Sequence, residues 1–116
     1  MNAKKRFQSN RELVNLMKNP YKARGIYTSN SLLHETVKFQ IAYILMKQGY
    51  DVYLESEFKS GGKGDVIAII NGSGFIIEVL SSETEKRFNA KKDYYPEELQ
   101  IVKVDAKEFT PETFKL

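Results

Sequence analysis

Gly64-Asp65-Val66-Ile67-Ala68-Ile69-Ile70, then Asn71-Gly72-Ser73-Gly74, then Phe75-Ile76-Ile77-Glu78-Val79-Leu80-Ser81 run without interruption through the middle of the chain. Two runs of β-branched and aromatic residues flank a turn whose Asn and Gly tolerate positive φ, so the stretch predicts a β-hairpin. Both faces of both strands are apolar, as central strands covered on each side require. Asp65 and Glu78 are the exceptions. With Gly72-Ser73 as the two-residue loop, paired residue numbers sum to 145, Asp65 faces Leu80, and Glu78 is its diagonal neighbour at roughly 7–8 Å. With Asn71-Gly72 as the loop the sum is 143, and Asp65 lies opposite Glu78. Either register puts both carboxylates on one face. Two carboxylates brought together among apolar residues repel each other and lose hydration, which a hard cation such as Mg²⁺ between them relieves.

The 116 residues suffice for one core. A composition 41% hydrophobic and 28% charged is that of a globular domain, and with no cysteine there are neither disulfides nor thiolate metal sites. No apolar run approaches a membrane span and the N-terminus lacks a signal-peptide core, so the expectation is a soluble, cytoplasmic protein with no membrane partner. The net charge of +3 is unevenly spread. Residues 1–30 carry Lys4, Lys5, Arg6, Arg11, Lys18, Lys22 and Arg24 against Glu12 alone, a balance of +6, while the remainder is −3. Residues 1–29 are therefore expected to form a basic arm containing a short helix, begun at Ser9 or Asn10, with Lys4, Lys5 and Arg6 as phosphate contacts.

From residue 30 to 116 the pattern is that of one domain. Asn30 or Ser31 caps a helix that runs to about Gln48 and stops at Gly49, with Leu33, Val37, Ile41, Ile44 and Leu45 as its buried stripe. Residues 50–58 alternate like a strand with one polar face. A glycine-rich loop with Lys59 and Lys63, both suited to backbone phosphates, leads into the hairpin. Ser82 with Glu85 forms a capping box for a helix to about Tyr95, closed by Pro96. Leu99–Asp105 reads as a strand, and Thr110-Pro111-Glu112 as the start of a short helix. The predicted order α-β-β-β-α-β makes an α/β (α+β) fold, with a mixed four-stranded sheet flanked by helices.

This order, with Glu35 early on the helix, Asp65 after Gly64, and Glu78, resembles the PD-(D/E)XK, or restriction-endonuclease-like, nuclease superfamily over residues 30–105. The resemblance implies that Asp65 and Glu78 hold Mg²⁺ or Mn²⁺ together with the Val79 carbonyl. Glu35 resembles the extra helical glutamate of archaeal Holliday-junction resolvases, which implies that Glu35 completes the metal shell or holds a metal-bound water, with branched DNA as substrate and a homodimer. Leu80 stands where the motif has its lysine, and an apolar side chain cannot orient water or stabilise charge at phosphate. Glu78-Val79-Leu80-Ser81 is also similar to a family of restriction-endonuclease-like proteins whose lysine sits on the following helix, where Lys92 falls, with Lys91 beside it. The implied activity is metal-dependent DNA endonucleolysis with Glu35, Asp65, Glu78 and Lys92 as catalytic residues. The alternatives are a DNA-binding module that has lost catalysis and an interaction subunit of the same fold. His34, the one histidine, reads as a packed or solvated side chain.

Overall fold

Asn71 and Gly72 both have positive φ, 51° and 83°, the geometry of a type I′ turn, whose twist matches the strands it joins. The turn fixes the register of the central hairpin: Val66 pairs Ile77, Ile67 pairs Ile76 and Ile70 pairs Ser73, the 143 register of the two open to the sequence. The computed structural model describes residues 6–18, 26, 27, 29–81, 86, 89 and 92–116, with the backbone alone for Asp93.

The described elements are α1 (Asn10–Val14), α2 (Leu32–Lys47), β1 (Val52–Glu57), β2 (Lys63–Ile70), β3 (Ser73–Leu80), a 3-10 turn (Lys92–Tyr94) and β4 (Gln100–Asp105). The sheet order is β1-β2-β3-β4, antiparallel within the first three strands and parallel between β3 and β4. The mixed four-stranded α+β sheet expected from the sequence is present. The capping box at Ser82 and Glu85 lies outside the described residues; Lys86 and Asn89 are helical. The helix expected after Thr110 is a turn instead, in which Thr113 N–H donates to the Thr110 carbonyl and Phe114 folds back against Phe109.

Ser31 Oγ accepts from the His34 amide and starts α2; Gly49, at φ 94°, follows its last turn. α2 packs Val37, Ile41 and Leu45 against Val66, Ala68, Phe75 and Ile77. Its buried side is rotated from the expected stripe. His34, Glu35 and Lys38 are buried, Ile44 is only partly so, and Leu33 is 45% exposed. The opposite face of the sheet packs Ile67, Ile76 and Leu80 against Phe58, Tyr95, Leu99 and, from the N-terminal segment, Phe7, Leu13 and Met17. A Cβ at Gly74 would run into Leu99 and Phe7, so the segment approaches the backbone itself.

Residues 6–18 therefore do not form a detached arm. They close the second face of the core, and bridges join Arg6 to Ser73 and Met17 to Phe58. Basic side chains on this segment reflect its outer surface and mask an apolar inner one. Leu13 is fully buried, so Leu13→Ala is expected to cost about 2–5 kcal/mol in urea unfolding. A detached arm would leave the midpoint unchanged.

Candidate functional site

β2 and β3 pair as far as Val66 and Ile77, and Asp65 and Glu78 stand one residue beyond that last pair, on adjoining strands at the same end of the hairpin. Both are nearly buried, at 9% and 3% exposure. One Asp65 oxygen, Oδ2, accepts from the Val79 amide at 2.8 Å. Glu78 Oε1 accepts from the Tyr95 hydroxyl at 2.7 Å, and that hydroxyl also lies 3.1 Å from the Lys63 carbonyl. Burial, and then the neighbouring Glu78 charge, push the Tyr95 hydroxyl far above its ordinary pKa, so it remains a donor.

A third carboxylate joins them from β1. Leu54 pairs Val66 and Ser56 pairs Gly64, which sets Glu55 opposite Asp65. Glu55 has a φ of 53°, a left-handed conformation that costs a non-glycine residue on the order of 1–3 kcal/mol. Burial first, then the hydrogen bond and charge of Asp65, raise its pKa to about 7. Burial acts in the same upward sense on Asp65, but the hydrogen bonds and charge of His34, Glu55 and the Val79 amide prevail and hold it at about 2. The two carboxyls are thus pushed apart, Glu55 toward its neutral form and Asp65 toward its ionised form.

The first turns of α2 supply the counter-charges. His34 Nε2 lies 3.3 Å from Asp65 Oδ2. Burial disfavours the imidazolium, yet the hydrogen bond and charge of Asp65, helped by Glu35, raise its pKa above the ordinary value. Lys38, only 1% exposed, forms an ion pair with Glu35 and reaches Glu55 Oε2 at 3.5 Å. Glu35 Oε1 also accepts from the Tyr27 amide and from Asn30 Nδ2, each at 3.0 Å. Burial acts upward on Glu35, but these donors and Lys38 lower its pKa below the ordinary range. Lys63 Nζ sits 3.6 Å from Glu55 Oε1 and 4.3 Å from the centre of the Tyr27 ring, a cation–π distance.

These groups surround a cavity of about 160 Å³ lined by Tyr27, Ser29, Asn30, His34, Glu55, Lys63, Asp65, Glu78, Val79 and Leu80. Of the residues anticipated from the sequence, Asp65, Glu78, Val79 and Lys63 line it. Glu35 stands one cation behind it, joined through Lys38 to Glu55. Lys92 is exposed on the 3-10 turn and is not in the lining. Lys59 is exposed on the β1–β2 turn. Arg6 donates to the Asn71 carbonyl at the hairpin tip, about 20 Å along the strands from Asp65. Lys4, Lys5 and Lys91 lie outside the described residues. The sequence reading missed Glu55 and Lys38; His34 is packed, as that reading allowed, with its partner being Asp65. The available signal was helical spacing: residues 34, 38, 41 and 45 form one row on α2, which places a histidine and a lysine in the buried stripe.

Among the described residues, no three metal-ligating side chains already stand as a closed ligand group. Asp65, Glu55 and Glu78, with the Val79 carbonyl beside them, nevertheless supply the hard oxygen donors that Mg²⁺ or Mn²⁺ takes. Glu55 Oε2 is buried without a hydrogen bond, with the Lys38 ammonium 3.5 Å away. In donor chemistry, the set suits such an ion.

Two consequences for stability follow in chelator. Because the Glu55 pKa is raised on folding, its contribution is full below its unfolded value of about 4.3 and is lost as pH rises through about 7. Glu55→Gln should flatten the decline in melting temperature over that window. Lys38→Met, which leaves Glu35 and Glu55 without their buried cation, should cost about 3–5 kcal/mol in urea unfolding at neutral pH.

No family model, curated protein or solved structure matches this chain, so what the cavity does is read from its own geometry.

Proposed function

We propose that this chain is a Mg²⁺- or Mn²⁺-dependent DNA endonuclease with a restriction-endonuclease-like core, acting on branched or otherwise structured DNA. The reading rests chiefly on Asp65, Glu78 and Glu55 lining one cavity at the open end of the hairpin, together with Lys63. Asp65, Glu78 and Glu55, with the Val79 carbonyl, would hold the ion. When bound, it supplies a Lewis acid for the phosphate and lowers the pKa of water.

The chain's own groups have separable tasks. His34 fixes the orientation and charge of Asp65, and Tyr95 does the same for Glu78. Lys38 holds Glu35 and Glu55 in place from below. Lys63 has a side chain 37% exposed at the cavity, so its ammonium can turn from Glu55 to a phosphate oxygen. It is a better-placed cation than Lys92 for the charge that Leu80 cannot supply. Tyr27, under the Lys63 ammonium, offers a ring face at the same mouth.

A second reading, DNA binding without cleavage, is favoured by Leu80, an apolar side chain in the cavity wall. Cleavage of linear, single-stranded and four-way-junction DNA with Mg²⁺ or Mn²⁺, against a chelator, separates the two. Under the nuclease reading, Asp65→Asn and Glu78→Gln each lower cleavage at least about a hundredfold with native circular dichroism. Lys63→Ala lowers both cleavage and the salt slope of DNA binding, the latter by about 0.9. Lys92→Ala changes neither. DNA binding with no cleavage of any substrate would select the second reading, and absence of binding would exclude both.

A further inference from the structure

We propose that Lys63 is a built-in competitor for the divalent ion, seated on Glu55 until a phosphate draws its ammonium away, a regulation that rests on the metal-dependent reading of the cavity. Two lysines reach the two oxygens of Glu55, Lys38 at 3.5 Å from Oε2 and Lys63 at 3.6 Å from Oε1. They differ in freedom. Lys38 is 1% exposed, is also paired with Glu35, and is not in the cavity wall. The Lys63 side chain is 37% exposed and lines the cavity. Its contact with Glu55 is longer than a charge-assisted hydrogen bond, so charge rather than a fixed bond geometry keeps the ammonium there. The Tyr27 ring, 4.3 Å from the same ammonium, adds a second attraction. A carboxylate and an aromatic face make a seat for a cation, and the chain fills it with its own.

That seat adjoins the carboxylates offered to Mg²⁺ or Mn²⁺. An ammonium on Glu55 offsets the charge that a metal would use and repels a second cation brought beside it. Both effects weaken metal binding to the DNA-free chain. A phosphodiester carries the opposite charge, and Lys63 can follow it without its backbone moving. The residue pairs with Glu57 in the sheet, and its carbonyl accepts from the Tyr95 hydroxyl at 3.1 Å. The ammonium rides on a flexible four-carbon stem. Its transfer to a phosphate oxygen would free Glu55 and remove the repulsion together. DNA then tightens metal binding, and by linkage the metal tightens DNA binding by the same factor.

Calorimetric titration of Mn²⁺ into the DNA-free chain tests this. Lys63→Gln and Lys63→Met should each bind Mn²⁺ about tenfold more tightly than wild type, with native circular dichroism. Lys63→Arg keeps the charge and should stay at the wild-type affinity. So should Lys59→Gln, which removes the same charge from the exposed part of the β1–β2 turn. The anisotropy of a labelled four-way junction, in Ca²⁺ against chelator, reads the coupling from the other side. Ca²⁺ takes the same hard oxygen donors, and should tighten junction binding about tenfold more in wild type than in Lys63→Gln. Mn²⁺ affinity that is equal or weaker in both uncharged variants would overturn the inference and leave the metal-dependent reading standing. Equal tightening by Lys59→Gln would do the same. Absence of Mn²⁺ binding in every chain would overturn that reading and the inference with it.

Discussion

Burying carboxylates beside one another is costly, and here the cost is met by cations drawn from a different layer of the fold. Three neighbouring strands bring Glu55, Asp65 and Glu78 to one cavity at the same end of the sheet. Like charges held together in a low-dielectric setting repel, and Asp65 and Glu78 are such a pair even where Glu55 is neutral. His34 and Lys38 answer from α2, and Lys63 from the first residue of β2. The sheet supplies the negative charge and chiefly the helix the positive charge, so neither layer is electrostatically acceptable without the other.

That mutual dependence accounts for the rotation of α2. If apolar burial alone set its orientation, Leu33 and Ile44 would turn inward with Val37 and Ile41. Instead the helix presents His34, Glu35 and Lys38 at the sheet's carboxylate end and spends its apolar contacts further along, at Ile41 and Leu45. The polar network occupies one end of the sheet and the apolar core the other. Tyr95 joins the two, packing its ring among Phe58 and its neighbours while its hydroxyl reaches Glu78.

Local signals were legible in the sequence, and features that depend on distant pairing were not. The Asn-Gly turn, the Ser31 cap, the Gly49 stop and the strand runs each announce themselves within a few residues. Asp65 and Glu78, singled out as the two carboxylates of an apolar hairpin, do line one cavity. Glu55 depends on how β1 registers with β2 across the loop at residues 58–62, and on a positive φ that no rule predicts for glutamate. Lys38 was hidden because a lysine ordinarily marks the solvated side of a helix. In the N-terminal segment the short helix was legible, but its buried side was not, because its charge drew attention from Phe7, Leu13 and Met17, which share one buried surface.

The type I′ turn at Asn71-Gly72 acts as a parity device. Side chains alternate along a strand, so the number of residues in the tip, odd or even, decides which face Glu78 occupies relative to Asp65. A single inserted residue, unless taken up as a bulge, would turn Glu78 toward Val37 and Ile41 and bring Val79 to the cavity in its place. Two inserted residues would restore the facing but slide the pairing. The tip is far from the carboxylates and open to solvent, where loops usually tolerate changes of length. Here Arg6 grips it, and a side chain at position 72 would collide with that guanidinium. A surface loop of this kind carries a constraint that belongs to the buried end of the molecule.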